Sequence, residues 1–250
     1  MENEFIKAKI QEKQYEFPYH YIHYFDDKGR MVRFRATGVS RYQCCLLHNK
    51  EIIESSNVDS VLDVGCGDGR LLGILNENIK HKVGVDLSEK AISFARAFHP
   101  DINFQAKDAK DVEGEFDIVV SMQVLEHISD DKVNDFLRTV AIRTKLGGQV
   151  IISVPTTVLS LDKKHYRHYD IDLFARQLES SNVNLRIEKV QYIHRTPFWL
   201  KIYRRGTNNK VWFFGFKALD NYIWNYCWRN LRITDEKHGE DMVIILKKQK

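Results

Sequence analysis

From about residue 57 the sequence alternates short apolar runs with stretches of helical spacing, and this alternation constrains the fold more than any other feature. SVLDVG (60–65), KVGVDLS (82–88), NFQAKD (103–108), FDIVVSM (116–122) and QVIISVP (149–155) read as strands. Between them RLLGILNENI (70–79), EKAISFARAF (89–98) and DDKVNDFLRTVAIRTKL (130–146) have helical periodicity. His99-Pro100 stops the second helix, and Gly147-Gly148 supplies a C-cap for the third. A further helix is expected at about 171–180 and a strand at about 185–194, with DMVIILKK (241–248) as the closing strand. Strands separated by helices of this length pair in parallel, because a parallel neighbour needs a crossover of a dozen residues or more. The expectation is a doubly wound α/β fold around a mostly parallel seven-stranded sheet, whose ligands sit beyond the carboxyl ends of the strands. Four segments follow: an N-terminal cap or lid (1–56), the core (57–194), an aromatic basic insertion (195–236) and the final core strand (237–250).

With 43% apolar and 29% charged residues in 250, the chain can bury a sizeable core, which excludes a disordered or fibrous protein. The net charge of +4 permits a nucleic-acid partner without demanding one. Cys44, Cys45, Cys66 and Cys227 form no CxxC pair, so a reducing compartment is expected rather than a disulfide framework. MENEFIKAKIQEKQ lacks the apolar core of a signal peptide, and no apolar run reaches the roughly 18 residues that cross a bilayer. The expected location is cytoplasmic.

VLDVGCGDGR places Gly65, Gly67 and Gly69 directly after the first strand and ahead of a helix. Glycines there allow a tight turn and close approach of a ligand, and the helix start offers unpaired N–H groups. Asp63 lies inside the strand, and Asp86 ends the next one, where a carboxylate can accept hydrogen bonds from both ribose hydroxyls. A nicotinamide dehydrogenase would share that acid, but its fingerprint is GxGxxG and Arg70 stands where the third glycine belongs. The GxGxG spacing with carboxylates nearby suits a cofactor carrying an amine and a sulfonium better than one carrying a pyrophosphate.

LDVGCGDG, VGVDLS, AKDA (106–109), FDIVVSMQVLEHI (116–128) and LGGQVIISVP (146–155) together resemble, in order, the motifs of class I S-adenosylmethionine-dependent methyltransferases. The resemblance covers roughly residues 57 to 155 and implies S-adenosylmethionine as cofactor. It implies that Asp63 and the loop of Gly65, Cys66 and Gly67 through Gly69 hold the methionine portion. Asp86, followed by Leu87, would take the ribose, Asp108 and Ala109 the adenine edge, and Ser121 would complete the set.

Methyl transfer from a sulfonium is a direct displacement, so the protein adds positioning and, for a hydroxyl acceptor, a base. Gln123, Glu126 and His127 follow the fourth strand, and His165 and His168 follow the fifth, so the five are expected at one cleft. The string resembles the ExxEH pattern, completed by a later histidine, that binds a divalent metal in RNA 3′-end 2′-O-methyltransferases and ubiquinone-pathway O-methyltransferases. His165 takes the place of the later histidine, and Gln123 departs from the pattern's glutamate. An amide oxygen still ligates a hard cation, with one negative charge fewer. Three readings stand side by side. Gln123, Glu126, His127 and His165 hold a divalent metal; or His127 or His165, with His168 beside them, serves as a base near an ordinary pKa of about 6.5; or the LEH string only orients its loops. KKHYRHY (163–169) also reads as a basic loop for an anionic acceptor, through Lys163, Lys164, Arg167 and its histidines.

Arg195 to Arg232 holds all four tryptophans, eight basic residues against one acid, Asp220, and eleven aromatics. That mixture suits a packed subdomain, base stacking or a peripheral membrane contact. YEFPYHYIHYFDD (15–27), with His20 and His23, reads as a lid that excludes water from the reacting methyl. The histidines favour oxygen over nitrogen as acceptor, as does the lack of an NPPY-type string after the fourth strand. The expected substrate is a hydroxyl of a small-molecule or glycan-linked acceptor. The alternative is metal-dependent 2′-O-methylation of RNA 3′ ends, and a silent cofactor-binding scaffold is a third possibility.

Overall fold

The computed structural model describes residues 6, 7, 9, 10, 36–207 and 215–249. The aromatic stretch 15–27, with His20 and His23, and Trp212 lie outside the described residues. The strands are β1 (Ser60–Val64), β2 (His81–Asp86), β3 (Asn103–Ala106), β4 (Phe116–Met122), β5 (Thr144–Pro155), β6 (Leu185–Ile193), β7 (Ile233–Thr234) and β8 (Asp241–Lys248). The helices are α1 (Ala36–Ser55), α2 (Arg70–Ile74), α3 (Glu89–Phe98), α4 (Val133–Arg143), α5 (Ile171–Ser180), α6 (Phe198–Thr207) and α7 (Lys217–Tyr226).

One sheet runs β3-β2-β1-β4-β5-β8-β6-β7. β1 to β5 pair in parallel, and β8 inserts antiparallel between β5 and β6. The sheet therefore has eight strands rather than seven, because the two residues of β7 extend the outer edge of β6. Its central strands β1 and β4 are apolar along most of their length because helices cover both faces. Successive residues part cleanly: Leu62, Val119, Val150, Ile152 and Ile244 face the layer that includes Leu137 of α4 and Phe174 of α5. Val61, Ile118, Val120, Ile151 and Val243 face Cys45 and Ile53 of α1, Leu72 of α2 and Ile92 of α3.

Local chemistry sets the boundaries. Ser88 caps α3 by accepting from the Ala91 N–H, and Asp170 caps α5 by accepting from Leu173 at 2.7 Å. α3 ends at Phe98, with His99 as its C-cap before Pro100, as expected. Two expectations are corrected. The helix expected over 70–79 ends at Ile74, since Leu75 turns to extended backbone and its carbonyl accepts from Lys82. The helix expected to reach residue 146 ends at Arg143, and Gly147-Gly148 do not cap it. β5 already begins at Thr144, with a register shift opposite Phe116–Ile118. A Cβ on Gly148 would sit 2.8 Å from the carbonyl oxygens of Asp117 and Lys145, so this glycine serves a bulge in the strand.

α1 lies within the segment read as a cap and packs against the sheet, with Cys44, Cys45 and Ile53 essentially inaccessible. Buried polar residues interrupt its apolar stripe; Asn49 is one, donating to Ser153 Oγ at 2.9 Å. A second buried polar chain ties α1 to α6 and β8. Arg204 donates to Ser40 Oγ at 2.6 Å, Ser40 Oγ lies 3.1 Å from His194 Nε2, and His194 Nδ1 lies 3.1 Å from Glu240 Oε2.

Candidate active site

The carboxyl ends of β1, β2 and β4 meet around the glycine loop. Gly65, at φ +78°, adopts a left-handed conformation that a side chain would strain, and a Cβ there would meet Val124 Cγ2 at 2.4 Å. This turn lets the N–H groups of Gly65 and Cys66 both donate to the Val85 carbonyl, at 2.8 and 3.0 Å. The Gly67 N–H donates to one Asp86 oxygen at 3.0 Å, and the Ser88 N–H to the other at 2.8 Å. Asp86 is thereby aimed at the loop.

Asp63 is buried at the end of β1, and burial, reinforced by Asp86 and Asp68, pushes its carboxyl up to about 8. Asp68 is paired with Arg70 at 2.7 Å. Cys66 is buried too, and burial raises its thiol well above the ordinary range, so it is no nucleophile here. Leu87, 79% exposed, forms an apolar ledge directly after Asp86. Asp108 caps the short turn Ala109–Asp111 by accepting from the Lys110 N–H, and Ala109 is buried beneath it. Ser121 Oγ on β4 is buried without a partner. A clustered set of carboxylates with an orphaned hydroxyl fits a ligand that carries a cationic amine and further polar groups.

Beyond β4 the chain makes a second sharp turn. Gln123 takes φ +59° and its N–H donates to the Ser153 carbonyl at 2.7 Å. A short turn, Leu125–His127, then buries Glu126, whose carboxyl is pushed up to about 8 by burial and whose Oε2 has no partner. The loop after β5 brings His165 edge-on to His127, with ring centroids 4.6 Å apart. One ligand atom from each of Glu126, His127 and His165 lies within 4.8 Å of the others. His165 Nδ1 and His168 Nε2 are 2.8 Å apart, and His168 Nδ1 lies 3.1 Å from the Leu159 carbonyl oxygen. Burial, then the positive Lys164, lowers His127 to about 4; burial, then His127, lowers His165 to about 3. Both imidazoles are neutral at pH 7, with lone pairs available to a proton or a metal.

Gln123 carries side-chain hydrogen bonds of its own. Its amide oxygen accepts from Arg41 at 3.1 Å and its amide nitrogen donates to Asp241 at 3.1 Å. Arg41 also grips Asp241 through Nε at 2.9 Å and through a second nitrogen at 2.5 Å. Arg41 and Asp241 were not among the residues expected from the sequence. Their only signals are an arginine ahead of the first strand and an acid opening the last apolar run. Arg167, expected to face an anion, instead bonds the Leu125 carbonyl and the Tyr169 hydroxyl and pairs with Asp130. Lys7 crosses the loop from outside, donating to the His165 carbonyl at 2.7 Å with its ammonium over the Tyr166 ring.

Comparison with known proteins decides the family. A family model described as "Methyltransferase domain" matches residues 31–213. The chain is a class I S-adenosylmethionine-dependent methyltransferase. It is 31% identical over 126 residues to a ubiquinone biosynthesis O-methyltransferase of Hydrogenovibrio crunogenus, covering 47% of this chain and 48% of that one. It is 26% identical over 212 residues to phosphoethanolamine N-methyltransferase 1 of Arabidopsis thaliana, covering 71% of this chain and 43% of that one. The methyltransferase thus spans about half the length of the curated relatives it matches. A SAM-dependent methyltransferase of known structure from Archaeoglobus fulgidus shares the fold, with a TM-score of 0.56 at 19% identity over 83% of this chain and 94% of that one. The cofactor of this methyltransferase is S-adenosylmethionine.

Proposed function

We propose that the methyltransferase methylates a hydroxyl oxygen of a small-molecule acceptor, with Glu126, His127 and His165 as the acceptor-side chemistry. The observation that carries this reading is the convergence of a buried, half-unpartnered carboxyl with two neutral imidazoles beside the glycine loop. On the cofactor side, Asp63 faces the methionine amine, Asp86 the ribose, Leu87 the adenine face, and Asp108 with Ala109 the adenine edge. Cys66, Gly67 and Ser121 line the same pocket. Among the curated relatives, the O-methyltransferases named for ubiquinone biosynthesis support oxygen, while the phosphoethanolamine N-methyltransferase is the counterexample.

The transfer is an in-line displacement in which the acceptor oxygen bonds the methyl carbon as the carbon–sulfur bond breaks. The positive sulfonium becomes a neutral thioether, and the hydroxyl proton must leave. His165 takes that proton, and His168, hydrogen-bonded to its other ring nitrogen, fixes the tautomer and delocalises the positive charge. Burial leaves both imidazoles unprotonated and lowers their basicity, so His165 takes the proton only as the forming oxygen–methyl bond makes the hydroxyl strongly acidic.

A divalent cation is a second reading, which the orphaned Glu126 Oε2 favours. Glu126, His127 and His165 would hold the ion, and Gln123, engaged by Arg41 and Asp241, would not. When bound, such an ion supplies Lewis-acid polarisation of the hydroxyl. Turnover of a panel of small hydroxyl acceptors by the metal-stripped protein, with and without Mg²⁺ or Mn²⁺, separates the two. Activity that ignores metal and falls in His165→Ala supports the base. Activity restored only by metal supports the ion, and turnover unchanged in both His165→Ala and Glu126→Gln removes the trio from the reaction. Neither reading requires RNA or a glycan-linked acceptor. The four free, buried cysteines accord with a cytoplasmic site of action, and no described helix is long and apolar enough to cross a membrane.

A further inference from the structure

The helices of the insertion carry side chains on their outer side that the fold does not use. Their inner faces are engaged: Leu200, Ile223, Cys227 and Leu231 form a small buried core, and Trp224 reaches the apolar layer under α1. Outside, Phe198 and Ile202 stand one turn apart on α6, 77% and 57% exposed. On α7, Leu219, Tyr222 and Tyr226 form one exposed stripe at i, i+3 and i+7, and Phe216 before them is 66% exposed. Trp199 of α6 meets Tyr226 of α7 edge-on, with centroids 5.6 Å apart, and joins the stripes into one face. The exposed charges on and beside the two helices, Arg195, Lys201, Arg205, Lys217 and Arg229, are all basic; Asp220 of α7 is buried, and the exposed acids Asp235 and Glu236 lie beyond both helices.

We propose that this face docks the methyltransferase on an anionic lipid bilayer. Charge complementarity selects the occupant: the basic display of these two helices is attracted to anionic headgroups and repels a second copy of itself. The apolar side chains exclude nucleic acid as the better fit, because Ile202 and Leu219 offer no π-face to a base yet partition readily into acyl chains. Trp199, Tyr222 and Tyr226 are amphipathic rings of the kind that settle at headgroup level.

The placement gives the contact a use. β6 ends on the same sheet edge as β5, since Pro155 pairs with Asp241 and Asp241 with Ile193, so α6 begins beside the acceptor cleft. Arg204 of α6 bonds Ser40, the neighbour of Arg41. If the proposed small-molecule acceptor is carried in the bilayer, docking sets the mouth of the cleft against its source.

The test is co-sedimentation of the full chain with phosphatidylcholine vesicles, with and without phosphatidylglycerol. Binding to the anionic vesicles that weakens with added salt is expected. The triple variant Phe198→Ser/Ile202→Ser/Tyr222→Ser, altered only at exposed positions, should lose more than about tenfold in vesicle affinity. The pair Lys201→Glu/Lys217→Glu should lose the preference for phosphatidylglycerol. Titration with S-adenosylhomocysteine, unchanged in both variants, shows an intact fold and keeps this result distinct from that of the methyl-transfer reading. Absence of binding to anionic vesicles by the unaltered chain overturns the proposal, as does equal binding by both variants. Preferential retention of single-stranded RNA, or self-association abolished in the triple variant, assigns the face elsewhere and also overturns it.

Discussion

The two halves of the cleft are built differently. The half proposed for the cofactor, at the ends of β1 to β3, is mostly backbone: two N–H groups on the Val85 carbonyl, and Asp86 held by the N–H groups of Gly67 and Ser88. The acceptor half, beyond β4 and β5, is mostly side chains from distant parts of the chain. Arg41 reaches Asp241 and Gln123, and His127 meets His165. A backbone site depends on a few consecutive residues whose spacing is set by the turn. A side-chain site depends on what the packing happens to bring together, so its members can be exchanged while the fold is kept.

That difference can be broken from either side. The largest effect is expected at Asp86→Ala, which removes both acceptors proposed for the ribose hydroxyls; two charge-assisted hydrogen bonds amount to more than about a hundredfold in cofactor affinity. Calorimetry with S-adenosylhomocysteine measures it, and an affinity within threefold (~0.7 kcal/mol) of the unaltered chain would separate Asp86 from the cofactor. Next in size, Glu126→Gln should lower turnover by roughly a hundredfold while cofactor affinity stays within about twofold. A parallel loss of cofactor binding would show that the halves are not independent.

Arg41→Met comes third. It leaves the inaccessible Asp241 carboxylate without its partner, and since Arg41 is partly exposed the cost is about 2 kcal/mol in urea unfolding. Asp241→Asn in the same background should recover part of that stability, and no recovery would show that the ion pair is not what Arg41 contributes. The smallest effect is expected at Glu240. Burial alone would raise its carboxyl, but hydrogen bonds from His194 and Thr196 outweigh it and hold the group below its ordinary value. A depressed carboxyl stabilises the fold above its unfolded pKa, and that contribution is lost as pH falls through the folded value, below about 4.5. Glu240→Gln should therefore destabilise the protein by about 1 kcal/mol at pH 7 and make unfolding less sensitive to acid. An unchanged acid limb would assign that limb to other carboxylates.

The same contrast explains what could be read from the sequence. The α/β class, seven of the eight strands and the whole of α5 were legible, because burial on both faces leaves continuous apolar runs and Asp170 marks a helix start. The glycine loop was legible because turn geometry requires those residues in that order. β7 was not, since two residues on an edge have no periodicity of their own. α1 was hidden by the buried polar residues Asn49 and Ser40, which break its stripe and find partners only in the folded state. The start of β5 was missed because Gly147-Gly148 looks the same whether it caps a helix or forms a bulge. On the acceptor side, the sequence named Gln123, Glu126, His127 and His165 but could not show the hydrogen bonds that join Gln123 to Arg41 and Asp241, a contact between residues 41, 123 and 241.

The most direct test of the divided cleft is calorimetric titration of S-adenosylhomocysteine into the unaltered chain, Asp86→Ala and Glu126→Gln, each metal-stripped and then with Mg²⁺ or Mn²⁺ present. The account predicts tight binding by the unaltered chain and Glu126→Gln, indifferent to metal, and none measurable by Asp86→Ala. Cofactor binding that survives in Asp86→Ala, or that collapses in Glu126→Gln, would contradict it.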